Sequence, residues 1–462
     1  MRIQFDDTNL MAEMVGDVHG VTRQELKQHA PKAKEALAGF KSLVEDGSIG
    51  FPHLPFQNQL AKEILAYAGN VSGSYDTVCV VGIGGSALGV WALDCALHGP
   101  HPVQPRFSTK NPRLVILDNV DPSFTALALE SMNAKRTLVV VIAKSGSTAE
   151  TIATFLIVRE WMRKKVGRKF YKRIVAVTSE GKGDLYELAT REEYRTFFIP
   201  GNVGGRFSVL SPVGMVPAAL AGIDIRKVFK GAAAITHQCW QPDLKTNIAL
   251  RAALVHWLAL VAKDKPIQVA FPYSNLLWGT AFWFRQLWAE SLGKAKTRDG
   301  QFVNIGQTPV AALGATDQHS QVQLYIEGPN DKIHTFWTVA KHRDTGKIPK
   351  AGFKLEAFDY LGGQTLAKLL DAEQRSTAAA LVETGRPNCT FTLDRVDEEH
   401  LGAFFQLLEF ETAFTGELLN INAFDQEGVE LGKRFTYGLM GRKNFSDFAT
   451  RFKDYEKIRE KV

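Results

Sequence analysis

The sequence predicts an α/β protein with two doubly wound layers, mainly parallel sheets and an N-terminal helical arm. Three observations predict it. Between residues 77 and 199, short β-branched apolar runs alternate with segments of helical periodicity. A Gly/Pro-dense stretch, residues 200–214, then breaks that pattern as a domain junction does. Beyond it strands and helices alternate again, less regularly, with no fixed-period repeat.

Taken in order, residues 1–55 read as the arm. A charged helix over 24–44 ends at a Gly/Pro-rich connector, 46–55, and a short helix follows over 58–67. The regular part has strands over 77–83, 113–118, 137–142, 173–178 and 195–199, with helices over 86–98, 122–132, 148–165 and 183–190 between them. The 137–142 run is almost unbroken in β-branched and apolar residues, as in a strand buried on both faces. Right-handed crossovers favour the strand order 2-1-3-4-5, whose ligand crevice opens between strands 1 and 3, outside their carboxyl ends. After the junction come helices over 247–263, 276–292, 316–325, 364–380 and 398–419, and a last one beginning near Asp425. Strands there fall at 267–271, 308–313, 333–339 and 389–393, and 340–353 reads as a polar surface loop. The expected domains are the arm (1–55) packed on the larger domain, a first domain (56–210) and a second (211–462).

Composition narrows the function. Of 462 residues, 45% are hydrophobic and 23% charged, as in an ordinary globular chain. A formal charge of +6 is mild at this length. It suits a small anionic substrate and does not call for nucleic acid. The basic stretch 163–173 reads as a solvated helix C-terminus. The four cysteines are scattered without CxxC spacing, so neither a zinc site nor a disulfide framework is expected, and a reducing cytoplasm is. No metal-spaced histidine cluster occurs. The first residues lack a signal-peptide core, and the longest apolar stretch, 252–262, is interrupted by His256 and too short for a bilayer.

The chemistry gathers at a few motifs. After the third strand runs Ala143-Lys-Ser-Gly-Ser-Thr-Ala-Glu-Thr151. Ser147 and Glu150 form a capping box there, so a helix should start with unpaired N–H groups and hydroxyls from Ser145, Ser147 and Thr148 around an anion. An ordinary capped turn is the alternative. After the first strand runs Gly82-Ile-Gly-Gly-Ser-Ala-Leu-Gly89, with Ser86 at the expected N-cap. Both loops fall at the switch point, which favours a phosphate cradle. Gly82-x-Gly84-x-x-Ala87 is a weak dinucleotide fingerprint without a well-placed acidic partner, and Gly428-x-x-x-Gly432-Lys433 lacks P-loop spacing. Gln286 and Glu290 share a helix face among aromatic residues, and apolar surroundings would make a carboxylate a better base near neutrality. An exposed glutamate is the competing reading. Arg206 follows Gly204-Gly205, which permits close approach of a ligand, and His319 sits at a helix start. Either of these, or Lys433, could equally be structural or surface.

Taken together and in this order, the motifs resemble the glucose-6-phosphate isomerase family. The resemblance is carried by Gly82–Gly89, Asn119-Val-Asp-Pro122, Lys144-Ser-Gly-Ser-Thr-Ala-Glu-Thr151, Gly204-Gly-Arg-Phe-Ser208, Gln286-x-x-x-Glu290-Ser-x-Gly-Lys294, Asp317-Gln-His319 and Phe424-Asp-Gln-Glu-Gly-Val-Glu-Leu-Gly-Lys433. It implies two sugar-isomerase domains and reversible conversion of glucose 6-phosphate and fructose 6-phosphate, in glycolysis and gluconeogenesis, without metal or organic cofactor. Gly85, Ser86, Ser145 and Thr148 would hold the 6-phosphate, with backbone N–H groups from Lys144, Gly146 and Ser147. Glu290 would move the proton between C2 and C1 through a cis-enediolate, and Arg206 would stabilise its charge. His319 and Lys433 would assist ring opening, and Gln286 and Gln426 would touch substrate. The family's shared active site implies a homodimer in which His319 serves the partner. Ala143 and Glu427 depart from residues seen in some relatives. A non-catalytic sugar-phosphate sensor and an isomerase also accepting mannose 6-phosphate are the alternatives.

Overall fold

The computed structural model describes residues 2–100, 111–144, 146, 148–350 and 352–459. Its strands are β1 (Ile3–Asp6), β2 (Thr77–Val81), β3 (Arg113–Leu117), β4 (Thr137–Ile142), β5 (Ile174–Thr178), β6 (Arg195–Phe198), β7 (Ile267–Pro272), β8 (Lys294–Lys296), β9 (Phe302–Ile305), β10 (Thr308–Ala311), β11 (Lys332–Val339) and β12 (Asn388–Leu393). The first sheet has the order β3-β2-β4-β5-β6, parallel throughout. That is the expected 2-1-3-4-5. Every residue of β2, β4 and β5 is buried, because helices cover both faces. Alternate residues serve opposite layers: Leu138, Val140 and Ile142 join one core, Val139 and Val141 the other.

The second sheet has the order β1-β12-β11-β7-β10. The pairings from β12 through to β10 are parallel, and β1 adds an antiparallel edge, Ile3 opposite Leu393 and Asp6 opposite Thr390. The arm expected to be helical therefore begins as a strand of the distant sheet. A four-residue edge strand with alternating partial burial carries too little periodicity to be read locally. The helix Arg23–Glu45 starts at a capping box between Thr22 and Glu25 and packs on the helices Ile248–Lys263 and Glu398–Leu418.

Other differences have similar causes. The junction contains a helix, Pro212–Leu220, buried at every position and followed by Ile225–Cys239. Pro212 fits the first turn of a helix, so prolines and glycines that looked like breakers are held by packing. The expected 316–325 helix is a short turn, Thr316–His319, and a separate helix, Val322–Glu327. The last helix is two, Glu430–Leu439 and Ser446–Ile458, packed on each other. All four cysteines are free and buried, with burial raising their thiol pKa values, as expected of core residues. Among the described residues no helix is long and apolar enough to cross a membrane.

Candidate active site

A cavity of about 680 Å³ lies where the two halves meet. The turn after β2 contributes Gly84, Gly85 and Ser86, and the loop after β4 contributes Ala143, Lys144 and Thr148. Arg206 enters from the junction, Gln286 and Glu290 from the helix Trp278–Leu292, and Gln426 and Lys433 from the C-terminal segment. The two glycine- and hydroxyl-rich loops thus face one crevice at the switch point, as the strand order requires.

The cradle differs in detail from expectation. Ser86 closes a short turn, Gly84–Ser86, and the helix it was expected to cap starts at Leu88. The helix after β4 runs Ala149–Val166 with Thr148, not Ser147, at its N-cap. Among the described residues Thr148 makes no side-chain capping bond, so its hydroxyl is uncommitted. Ser145 and Ser147 lie outside the described residues. Gly146 has φ +68°, and a Cβ there would lie 2.4 Å from the Leu185 nitrogen. The loop is thereby pressed against the start of the helix Asp184–Arg191. A Cβ on Gly85 would lie 2.2 Å from the Gly205 carbonyl oxygen, so this glycine lets the cradle touch the loop carrying Arg206. Lys144 does not aim its ammonium at the crevice. Its Nζ donates to the carbonyls of Gly201 and Val203 at 2.9 and 2.8 Å, tying cradle to junction. Burial lowers its pKa, and the charge of Lys182 adds to this.

Arg206 is 3% exposed and densely bonded. Its Nε donates to Ser291 Oγ at 2.7 Å and its Nη1 to Gln426 Oε1 at 3.2 Å. Its Nη2 donates to the carbonyls of Ala423 and Asp425 at 2.5 and 2.8 Å. Burial lowers its pKa, opposed by the carboxylates of Glu290 and Asp425. A guanidinium has five N–H groups, so among the described residues one Nη1 donor is left over. It faces Glu290, whose Oε2 stands 3.6 Å from Nη1, beyond hydrogen-bond length. Glu290 Oε1 accepts from Gln286 Nε2 at 3.3 Å. The expected apolar setting of Glu290 is corrected: Trp283, Phe284, Leu287 and Trp288 are buried in the core, while Glu290, nearer the end of the helix, is partly open and lines the cavity beside Gln286 and the Arg206 cation.

Lys433 lines the cavity and donates to Glu430 at 2.7 Å. His319 is exposed and does not line it. Sequence reading passed over Lys182 and Ser179, which line the cavity from the end of β5. Their signal was position alone, the C-terminal end of the fourth strand beside the switch point. Among the described residues no group of three or more His, Cys, Asp and Glu could hold a metal ion.

Fold and cavity define a class: a doubly wound α/β protein whose cavity gathers two glycine- and hydroxyl-rich loops at one sheet's switch point and a carboxylate beside a fixed cation. The phosphoglucose isomerase family model matches residues 58–454, and the chain belongs to that family. It is 42% identical to the glucose-6-phosphate isomerase of Carboxydothermus hydrogenoformans, over 92% of this chain and 91% of that one. It is 41% identical to the enzyme of that name from Rubrobacter xylanophilus, over 96% and 99%. The crystal structure of a hypothetical protein from Thermus thermophilus superposes with a TM-score of 0.85 at 36% identity, covering 95% of this chain and 100% of that one. A glucose-6-phosphate isomerase from Chlamydia trachomatis superposes with a TM-score of 0.76 at 25% identity, covering 87% and 77%.

Proposed function

We propose how this chain performs the reaction of its family, the reversible aldose–ketose isomerisation of glucose 6-phosphate and fructose 6-phosphate in glycolysis. The 6-phosphate sits between the loops after β2 and β4, held by Ser86, Thr148, Ser145 and Ser147 and by main-chain N–H groups. Its binding energy positions the sugar, since it lies away from the reacting carbons. Glu290 takes the proton from C2 and returns it to C1. Charge growing on the enediolate is met by the Arg206 guanidinium. Gln286 and Gln426 contact the sugar, and Lys433 with His319 serves ring opening. The observation that carries this reading is the geometry of Arg206: four hydrogen bonds fix it and leave one donor beside an unbonded carboxylate oxygen. The chemistry needs neither metal nor organic cofactor.

The chain acts as a homodimer in the cytoplasm, with two sugar-isomerase domains (56–210 and 211–462) and an arm (1–55). The exposed position of His319, outside its own chain's cavity, supports a site completed by a second copy. Glu290→Gln should lower kcat for fructose 6-phosphate by about 10²–10⁴-fold while leaving binding nearly intact, measured with chelator present. Mixing that variant with His319→Ala under subunit exchange should restore about one quarter of parent activity, because each mixed dimer carries one intact site. Full activity of Glu290→Gln, or strict metal dependence, would overturn the mechanism. Unrestored activity would overturn the shared site. Sugar-phosphate binding without turnover in the parent chain would favour a sensor.

A further inference from the structure

The motif that ends at Lys294 contains a residue to which the reaction gives no task. Lys294 is the first residue of β8, two beyond the helix that carries Glu290. Its side chain is only 10% exposed. The Nζ makes three hydrogen bonds: to the Glu290 carbonyl at 3.0 Å, to the Asp425 carbonyl at 2.7 Å and to Asp425 Oδ1 at 2.7 Å. An ammonium has three N–H groups, so all are used.

Each contact has a physical meaning. The Glu290 carbonyl belongs to the last turn of its helix, where no intrahelical donor follows, and a cation suits the negative end of the dipole. The Asp425 carbonyl is the same oxygen that accepts from Arg206 Nη2. One main-chain oxygen is therefore shared by two cations. The next residue, Gln426, accepts from Arg206 Nη1. Lys294 thus joins the backbone of Glu290 to the segment that orients Arg206, through a single side chain.

We propose that Lys294 is a positioning residue, a three-point clamp that sets the separation between the Glu290 carboxylate and the Arg206 guanidinium. The separation matters because the two groups attract each other. At hydrogen-bond length the guanidinium would occupy the base and spend the donor meant for the enediolate. The Asp425 carbonyl draws Arg206 away from Glu290, and Lys294 anchors that carbonyl to Glu290's own backbone. Glu290 and Arg206 then move as one unit. Burial lowers the pKa of Lys294, and its bonds to Asp425 oppose this.

The proposal rests on Glu290 and Arg206 being base and cation. Lys294→Met should lower kcat by about 10–100-fold with KM for fructose 6-phosphate within about 3-fold, because misplacement affects the transition state more than phosphate binding. Lys294→Arg preserves charge but cannot converge three donors from one nitrogen. It should also lose kcat, and the isotope effect with C2-deuterated glucose 6-phosphate should rise in both variants as proton transfer becomes slower. If Lys294→Met fails to fold, the isotope effect of Lys294→Arg carries the test. Full kcat in Lys294→Arg with an unchanged isotope effect would overturn the clamp, since charge alone would then suffice. Glu290→Gln run in parallel separates the two ideas: if it retains activity, the base assignment has failed, and not merely the clamp.

Discussion

The two sheets share a strand order and part company at the residue after their first parallel strand. In chain order, β2, β3, β4 and β5 lie side by side as 2-1-3-4, and so do β7, β10, β11 and β12. Each sheet therefore has a switch point between its first and third strands. In the first sheet the residue after β2 is Gly82, where a Cβ would stand 2.8 Å from Ser86 Cβ, so the chain turns tightly and leaves the crevice open. In the second the residue after β7 is Tyr273, 2% exposed, its ring 5.2 Å from Phe271 and 5.7 Å from Phe336. Its main-chain N–H donates to the Trp337 carbonyl, and Gly314 packs flat on its ring. Topology makes the crevice. The side chain at one position decides whether a ligand or the protein fills it. The open crevice is left as the cavity, and the closed one packs beneath the helix that carries Glu290.

That contrast can be broken from either side. The largest effect should come from opening the closed crevice: Tyr273→Ala removes a buried ring and should destabilise the fold by about 3–5 kcal/mol in urea titration. It should create no second phosphate site. Phosphate stoichiometry above one per chain in that variant would mean that loop chemistry matters less than open space. A smaller effect should come from protonation inside the second sheet. Burial pushes the His334 imidazole down to about 3, against 6.5 for the free side chain. Between those values the unfolded chain binds the extra proton, so stability is full above pH 6.5 and falls as pH drops toward 3, by on the order of a few kcal/mol. Glu409, whose pKa burial raises, acts in the opposite direction. The difference between parent and His334→Gln isolates the histidine, and equal acid slopes would refute its role. The smallest effect should be Ser86→Ala in the open crevice. It should raise KM about 10-fold, on the order of 1–2 kcal/mol, while the urea midpoint stays put. A shifted midpoint with unchanged KM would make Ser86 structural.

Much of the first sheet was legible. The bounds of β4 follow from an apolar run with no polar interruption, and its neighbours from alternation with helices. The second half was less so. The helix Glu398–Leu418 was readable in extent, but its burial on nearly every side, Glu409 and Glu411 included, is not something periodicity reports. The cradle loops, Arg206 and Glu290 were recognisable as motifs, whereas the setting of Glu290 was misjudged. Its aromatic neighbours in sequence are buried in the core while its own carboxylate reaches the cavity, and its neighbour in space, Arg206, comes from elsewhere in the chain.

The sequence alone determined the layered α/β architecture, the strand order of the first sheet and the family motifs. These depend on local periodicity, turn chemistry and the handedness of crossovers, all short-range. Tertiary structure decided that β1 completes the far edge of the second sheet, that Tyr273 closes one crevice while Gly82 leaves the other open, and that Lys294 and Arg206 meet on the Asp425 carbonyl. Those outcomes depend on which donors and acceptors remain unpaired once distant segments are packed together, and no local pattern records that.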